Sequence, residues 1–268
     1  MMTDSSMIQS LRSALLVPLA LTLLGCGQPP PPGSDEAGTE SSDTATETSA
    51  ETSTDTSATE TGTDTGTVEE TLYPLVDGAS WTYVITNTSG QILGMDTIDL
   101  SETVWMGGQA WEMVDSPNAN GTWSTSTIIR DGDLALRVHR VEMAQATTTA
   151  IIDYAPGFAR ASDAWTTQGF IEELLYTRTA YDSNGQNPVV EDRGHTFEVV
   201  GVDQSVTVPA GTFNCVKVER VRTLGTEAGA LAWFWYAPGI GKVREERPVE
   251  MEIEELVSVS IPGGANLP

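Results

Sequence analysis

The chain has 268 residues, of which 38 are Asp or Glu and 13 are Lys or Arg, for a formal charge of −25 at pH 7. Such a balance excludes nucleic acid and an anionic lipid surface as natural partners, because binding by counterion release needs clustered Lys and Arg. With two histidines and two cysteines, no spacing resembles a zinc site, and no metal or cofactor is expected.

Residues 11–24 form an apolar run with Arg12 near its start and Leu15, Leu16, Val17, Leu19 and Leu21 inside it. At 1.5 Å per residue such a run spans roughly 21 Å, short of the ~30 Å hydrocarbon core of a bilayer. It reads as a signal peptide over residues 1–25 and not as a permanent span. Asp4 is out of place in a basic leader, and initiation at Met7 removes it. Leu23-Leu24-Gly25-Cys26 resembles a bacterial lipobox, cleaved before a cysteine whose thiol carries a diacylglycerol. The expectation is that Cys26 is lipidated and holds the protein to a membrane. Gly27, where an Asp would signal retention, resembles the enterobacterial pattern for the outer rather than the inner membrane of the cell envelope.

Residues 26–71 then read as a lipidated cysteine followed by a disordered tether. From Gln28 onward this segment has no Lys or Arg and eleven carboxylates, opens Pro29-Pro30-Pro31-Pro32, and continues in Thr, Ser, Glu, Asp and Ala. With almost no large apolar side chain before Val68, it cannot offset the ~1–2 kcal/mol per residue cost of ordering a backbone. The readings open for it are a solvated spacer and an O-glycosylated stalk.

Residues 72–268 remain for a single globular domain, carrying 26 acidic and 12 basic residues. Its pattern is β throughout. Trp81, Tyr83 and Ile85 recur at period two; Leu134, Leu136 and Val138 alternate with Ala135, Arg137 and His139; Val249, Met251 and Ile253 alternate with Glu250, Glu252 and Glu254. On this alternation Arg137 and His139 share one polar, exposed face. Asn184-Gly185 suits a type I′ hairpin, Pro238-Gly239 a type II turn, and Pro209-Ala210-Gly211 a further reversal. Only residues 161–175 look unlike strand, and Ser162-Asp163 there is placed to cap a short helix around residues 165–175, although Gly169 weakens it. About nine to eleven short strands with such turns mean a sandwich, a barrel or one large curved sheet. Cys215, with Cys26 consumed by lipid, has no partner; it is expected to be a buried inert thiol, the alternatives being a reactive thiol or an intermolecular disulfide.

Three motifs carry a resemblance. The opening Tyr73-Pro74-Leu75, Gly78 and Trp81-Thr82-Tyr83, the later Val208-Pro209-Ala210-Gly211-Thr212-Phe213-Asn214-Cys215, and Trp235-Tyr236-Ala237-Pro238-Gly239-Ile240-Gly241-Lys242-Val243 are similar to a group of secreted bacterial domains called TapB-like. These in turn resemble the curved-sheet, half-barrel lipoprotein carriers of the Lol pathway. The resemblance implies an all-β fold with at most one short helix, built as a single antiparallel, strongly curved sheet or half-barrel. In it Pro209, Gly211, Pro238, Gly239, Gly241 and Gly185 are structural turn residues.

Trp233, Phe234, Trp235 and Tyr236 run consecutively, so rings project from both faces of one strand. Either one face lines an apolar ligand groove or both are ordinary core. No nucleophile elbow, metal-binding helix motif or phosphate loop is present, and adjacent pairs such as Glu245-Glu246 point to opposite faces of a strand. A catalytic residue is therefore not expected. The functional reading is a monomeric, non-enzymatic envelope lipoprotein whose half-barrel holds an apolar or lipid-like small molecule. The alternative is a structural or protein-interaction lipoprotein without such a ligand, and an uncharacterised hydrolase has little support.

Overall fold

The computed structural model describes residues 71–118 and 120–267. The expected signal peptide, Cys26 and all of the expected tether except Thr71 lie outside the described residues. Thirteen strands follow one another: β1 (Ser80–Asn87), β2 (Ile92–Trp105), β3 (Gly108–Asp115), β4 (Thr122–Asp131), β5 (Leu134–Ala144), β6 (Thr147–Ser162), β7 (Ile171–Tyr181), β8 (Val189–Val208), β9 (Gly211–Leu224), β10 (Leu231–Ala237), β11 (Gly241–Arg247), β12 (Glu252–Ser260) and the short β13 (Asn266–Leu267). Each pairs antiparallel with the next, and β1 also pairs with β12. That last ladder, from Ser80 opposite Ser260 to Asn87 opposite Glu252, closes twelve strands into a barrel, with β13 added outside the ring.

Two expectations are corrected. The open curved sheet or half-barrel is replaced by a closed barrel, since β1 and β12 bond to each other and closure leaves neither as a free edge. The short helix is absent too: no helix occurs among the described residues. Instead β6 runs to Ser162, a turn follows, and β7 starts at Ile171. Trp165, 1% exposed, fills this corner by stacking on Phe197 and donating from Nε1 to Glu172 at 2.9 Å.

Residues opposite each other in an antiparallel ladder share a face, which sorts side chains into lumen and outer wall. Trp81 faces Ile98 and Val259, Tyr83 faces Asp96 and Leu256, and Ile85 faces Glu254, all toward the lumen. Two β-bulges redirect charge inward. Thr127 pairs with His139 but Ile128 with Arg137, which leaves Val138 as the extra residue. Trp235 pairs with Arg244 but Tyr236 with Lys242, which leaves Val243 extra. Arg137, Lys242 and Glu245 consequently point into the barrel. His139 lies outside, where it stacks on Trp105 with centroids 5.2 Å apart and bonds Asp153 at 2.7 Å. Arg137 and His139 thus do not share the exposed face that alternation assigns them.

Candidate functional site

The aromatic strand β10 divides by parity. Phe234 and Tyr236 face inward, opposite Val218 and Val216 of β9, and Tyr236 donates to the Arg160 carbonyl at 2.6 Å. Trp233 and Trp235 face outward. Lys217 sits 5.1 and 4.7 Å from their ring centroids and Arg244 sits 5.4 Å from that of Trp235, while their indole N–H groups donate to Glu219 and Gln204. The β8–β9 hairpin folds over this outer face: Ala210 donates its N–H to the Leu256 carbonyl, and Val206, Val208, Phe213 and Cys215 cluster with Trp235 and Val243. Pro209 and Gly211 shape its tip. Cys215 is 1% exposed, and burial pushes its thiol up to about 12.

Two of the sequence motifs meet in space. Ile240 donates to Ala237 across Pro238-Gly239, with Gly239 at φ +71, a type II arrangement. The turn presents two carbonyls to the opening motif: Trp81 Nε1 donates to Ile240 at 2.7 Å and Tyr83 Oη to Lys242 at 2.9 Å. Gly241 has φ +100, and a Cβ there would stand 3.4 Å from Trp81 Nε1, so this close approach calls for glycine. Gly185 lies in the seven-residue β7–β8 loop with φ +72. Asn184 is not in the left-handed region that type I′ demands; Asp182 organises the loop by accepting from the Asn184 and Gln186 N–H groups at 2.9 Å each.

The lumen contains the chemistry that the sequence reading missed. A cavity of about 360 Å³ in its middle is lined by six cationic side chains, Arg137, Arg140, Arg160, Arg220, Lys242 and Arg247, and four carboxylates, Asp96, Asp115, Glu245 and Glu254. Six of the chain's thirteen Lys and Arg residues therefore gather here, in a protein of charge −25. Toward one rim this space continues through Asp96, Asp115, Arg140 and Arg247 into about 520 Å³, bordered also by Ile85, Met95, Trp123 and Met143. Toward the other end, Ile98, Phe158, Arg160, Arg220 and Lys242 lead to a floor of Tyr73, Trp81, Tyr83, Phe197, Phe234 and Tyr236. That floor is packed, with about 20 Å³ free, room for roughly one water. A larger groove of about 870 Å³ runs along the outer wall beside Trp105 and Pro156, but the charged groups lining it are Arg130 and Asp153 alone.

Inside the cavity, Lys242 lies 2.7 Å from Glu245 and 2.9 Å from Glu254, and Arg247 reaches Glu245, Glu252 and Glu254 at 2.7, 3.3 and 3.5 Å. Burial opposes ionisation of Glu245, yet Lys242 and Arg247 together hold its carboxyl well below the usual range. Asp96 behaves oppositely: burial, then repulsion by Asp115 and Glu254, raises it to about 6. Burial raises the Tyr83 and Tyr236 hydroxyls. Among the described residues, no group of His, Cys, Asp and Glu is arranged to hold a metal ion.

Fold and site together define an all-β closed-barrel protein with a charged lumen. A family described as DUF3108-like matches residues 190–250, a stretch that includes the second and third motifs and leaves the opening Tyr73–Tyr83 motif outside. No curated protein matches the chain. Two solved structures are similar. One is a protein from Bacteroides fragilis described as exported, with a YmcC-like fold, at 13% identity over 70% of this chain and 98% of that one, with a TM-score of 0.39. The other is described as a lipoprotein, from Parabacteroides distasonis, at 14% identity over 71% and 99%, with a TM-score of 0.37. At these values the likeness carries no argument about this chain, and the matches do not show the TapB-like or Lol-carrier resemblance. Among the described residues, no helix is long and apolar enough to cross a membrane.

Proposed function

We propose that this protein is an exported, lipid-anchored envelope lipoprotein that binds a small amphiphile inside its barrel without turning it over. One observation carries the reading: nearly half of all cationic side chains of a strongly acidic chain line one interior cavity of about 360 Å³, a size within the usual range for ligand sites. The packed aromatic floor moves the ligand away from Phe234 and Tyr236. Its polar part fits the charged middle of the lumen, and its apolar part fits toward the rim, where Ile85 faces inward and Met95, Trp123 and Met143 border the mouth from the outer face. Cys26 supplies the anchor and residues 26–71 the tether, with the outer membrane as the destination. Anchor and ligand site are separate, so the Cys26→Ala variant should lose membrane attachment and keep its lumen.

The test is native mass spectrometry on the protein and its Cys26→Ala variant, both purified from the envelope of the producing cell. A diacylglycerol mass on the parent alone, with the same non-covalent small molecule on both, is the expected result. A bare barrel in every preparation, with a recurrent protein companion, would replace this reading with that of an interaction lipoprotein.

A further inference from the structure

Three of the lumen cations make no direct ion pair. Arg137 on β5, Arg160 on β6 and Arg220 on β9 line the middle cavity, and among the described residues none forms an ion pair with an Asp or Glu. The carboxylates nearby are engaged otherwise: Glu245 and Glu254 by Lys242 and Arg247, Asp115 by the Ser124 hydroxyl, Asp96 by the Ser116 hydroxyl at 3.2 Å. Arg137 is 6% exposed, and its Nε is buried with no hydrogen-bond partner.

Arg137 and Arg220 flank one aromatic ring, and Arg160 lines the same cavity. The Arg137 and Arg220 guanidinium carbons lie 6.0 and 5.5 Å from the centroid of the same ring, Phe158, and Arg220 lies 4.8 Å from that of Phe234. Burial lowers the pKa of Arg137 to about 10, and the Arg160 charge lowers it further; burial also lowers that of Arg220, against the pull of Glu245. An arginine does not shed its proton at neutral pH, so burying a guanidinium with no ion-pair partner, as at Arg137, is costly. The cost is relieved when an anion arrives, and guanidinium forks match the two oxygens of a carboxylate or phosphate.

We infer that Arg137, Arg160 and Arg220 form the seat of an oxyanion, the carboxylate or phosphate head of the amphiphile whose apolar part lies at the rim. This rests on the reading of the lumen as a ligand site. The Phe158 and Phe234 faces hold Arg137 and Arg220 in place in the absence of a ligand.

The experiment titrates the full lipidated chain in nanodiscs with hexyl phosphate, hexanoate, hexanol and inorganic phosphate by calorimetry, with empty nanodiscs as the blank. The expected result is binding of hexyl phosphate or hexanoate at least tenfold tighter than of hexanol, weakened at least tenfold by Arg137→Gln and by Arg220→Gln. The two variants are made separately, and each is checked for a native far-ultraviolet spectrum, so that one misfolded variant leaves the other to decide. Lys217→Gln, on the outer wall, should bind as the parent does. Preference for hexyl phosphate identifies a phosphate head, and preference for hexanoate a carboxylate. Hexanol binding as well as both acids would overturn the anion seat and leave the lumen reading standing. Inorganic phosphate binding as tightly as hexyl phosphate would keep the seat and overturn the amphiphile. No binding by any probe would overturn both.

Discussion

Lys242 and Glu245 stand three positions apart on one strand, yet their side chains meet at 2.7 Å inside the barrel. Strand alternation would send them to opposite faces; the bulge at Val243 turns both inward. Glu254 completes the group at 2.9 Å from the same ammonium, and all three side chains are buried.

Lys242→Met leaves two buried carboxylates with Arg247 as their remaining direct ion-pair partner among the described residues. Breaking a buried pair by removing one partner typically costs about 3–5 kcal/mol, and the remaining Arg247 contacts place the expected loss toward the lower end. Urea denaturation at pH 7 measures it. Adding Glu245→Gln and Glu254→Gln to Lys242→Met should restore much of the loss, and a triple variant less stable than the single one would contradict this account of the cluster.

His195 should make the protein acid-sensitive. It is 2% exposed, stacks on Tyr176 with centroids 5.7 Å apart, and is held down to about 3 by burial first and then by Arg220, Arg222 and Arg193. Because the folded pKa lies below the unfolded value of 6.5, the stability this neutral ring contributes is present above pH 6.5 and is lost as pH falls from 6.5 toward 3. His195→Phe should flatten the fall in denaturation midpoint between pH 7 and pH 4.5. An unchanged slope would show that His195 is protonated in the folded barrel.

Gly157 tests how closely β5 and β6 approach. A Cβ at this position would sit 2.8 Å from Leu136 Cβ and 3.2 Å from its Cδ1, so Gly157→Ala should cost about 1–3 kcal/mol through overpacking. Gly94→Ala is the control, since a Cβ there meets nothing within 4 Å. Equal melting temperatures for the two variants would mean that the strands separate freely at Gly157.

Both faces of β10 should prove structural. Trp235 and Phe234 are 8% and 6% exposed, and truncating each to Ala should cost about 3–5 kcal/mol. Trp233 is only half-buried and should cost less. Stability retained by the Phe234→Ala and Tyr236→Ala double variant would reopen the aromatic strand as a ligand wall.

Much of the strand pattern was legible in the sequence. Period-two alternation marks Trp81, Tyr83 and Ile85 as one face, and that face lies in the barrel. The same rule fails at Arg137 and His139, because a bulge inserts one residue into a strand without altering its composition. The site was less legible still. Arg137, Arg160, Arg220 and Lys242 sit on four strands spread over a hundred residues, and no motif joins them. The one available signal was basic residues placed within strands, as in Phe158-Ala159-Arg160-Ala161, instead of at turns.

Composition and local alternation by themselves determined the all-β class, most of the strands and the type II turn at Pro238-Gly239, because these depend on backbone preferences over a few neighbouring residues. Residues 161–175 were misread because Trp165 is placed by long-range packing on Phe197 and Tyr236, and not by helical propensity. Closure was decided only by the tertiary structure. It depends on eight residue pairs between β1 and β12, elements from the two ends of the described chain, and an open and a closed sheet share the same alternation up to that ladder. The charged lumen follows from closure: bulges at Val138 and Val243 aim Arg137 and Lys242 inward, and a ring of twelve strands surrounds the lumen cations, withdrawing from bulk water side chains whose sequence positions resemble an exposed face.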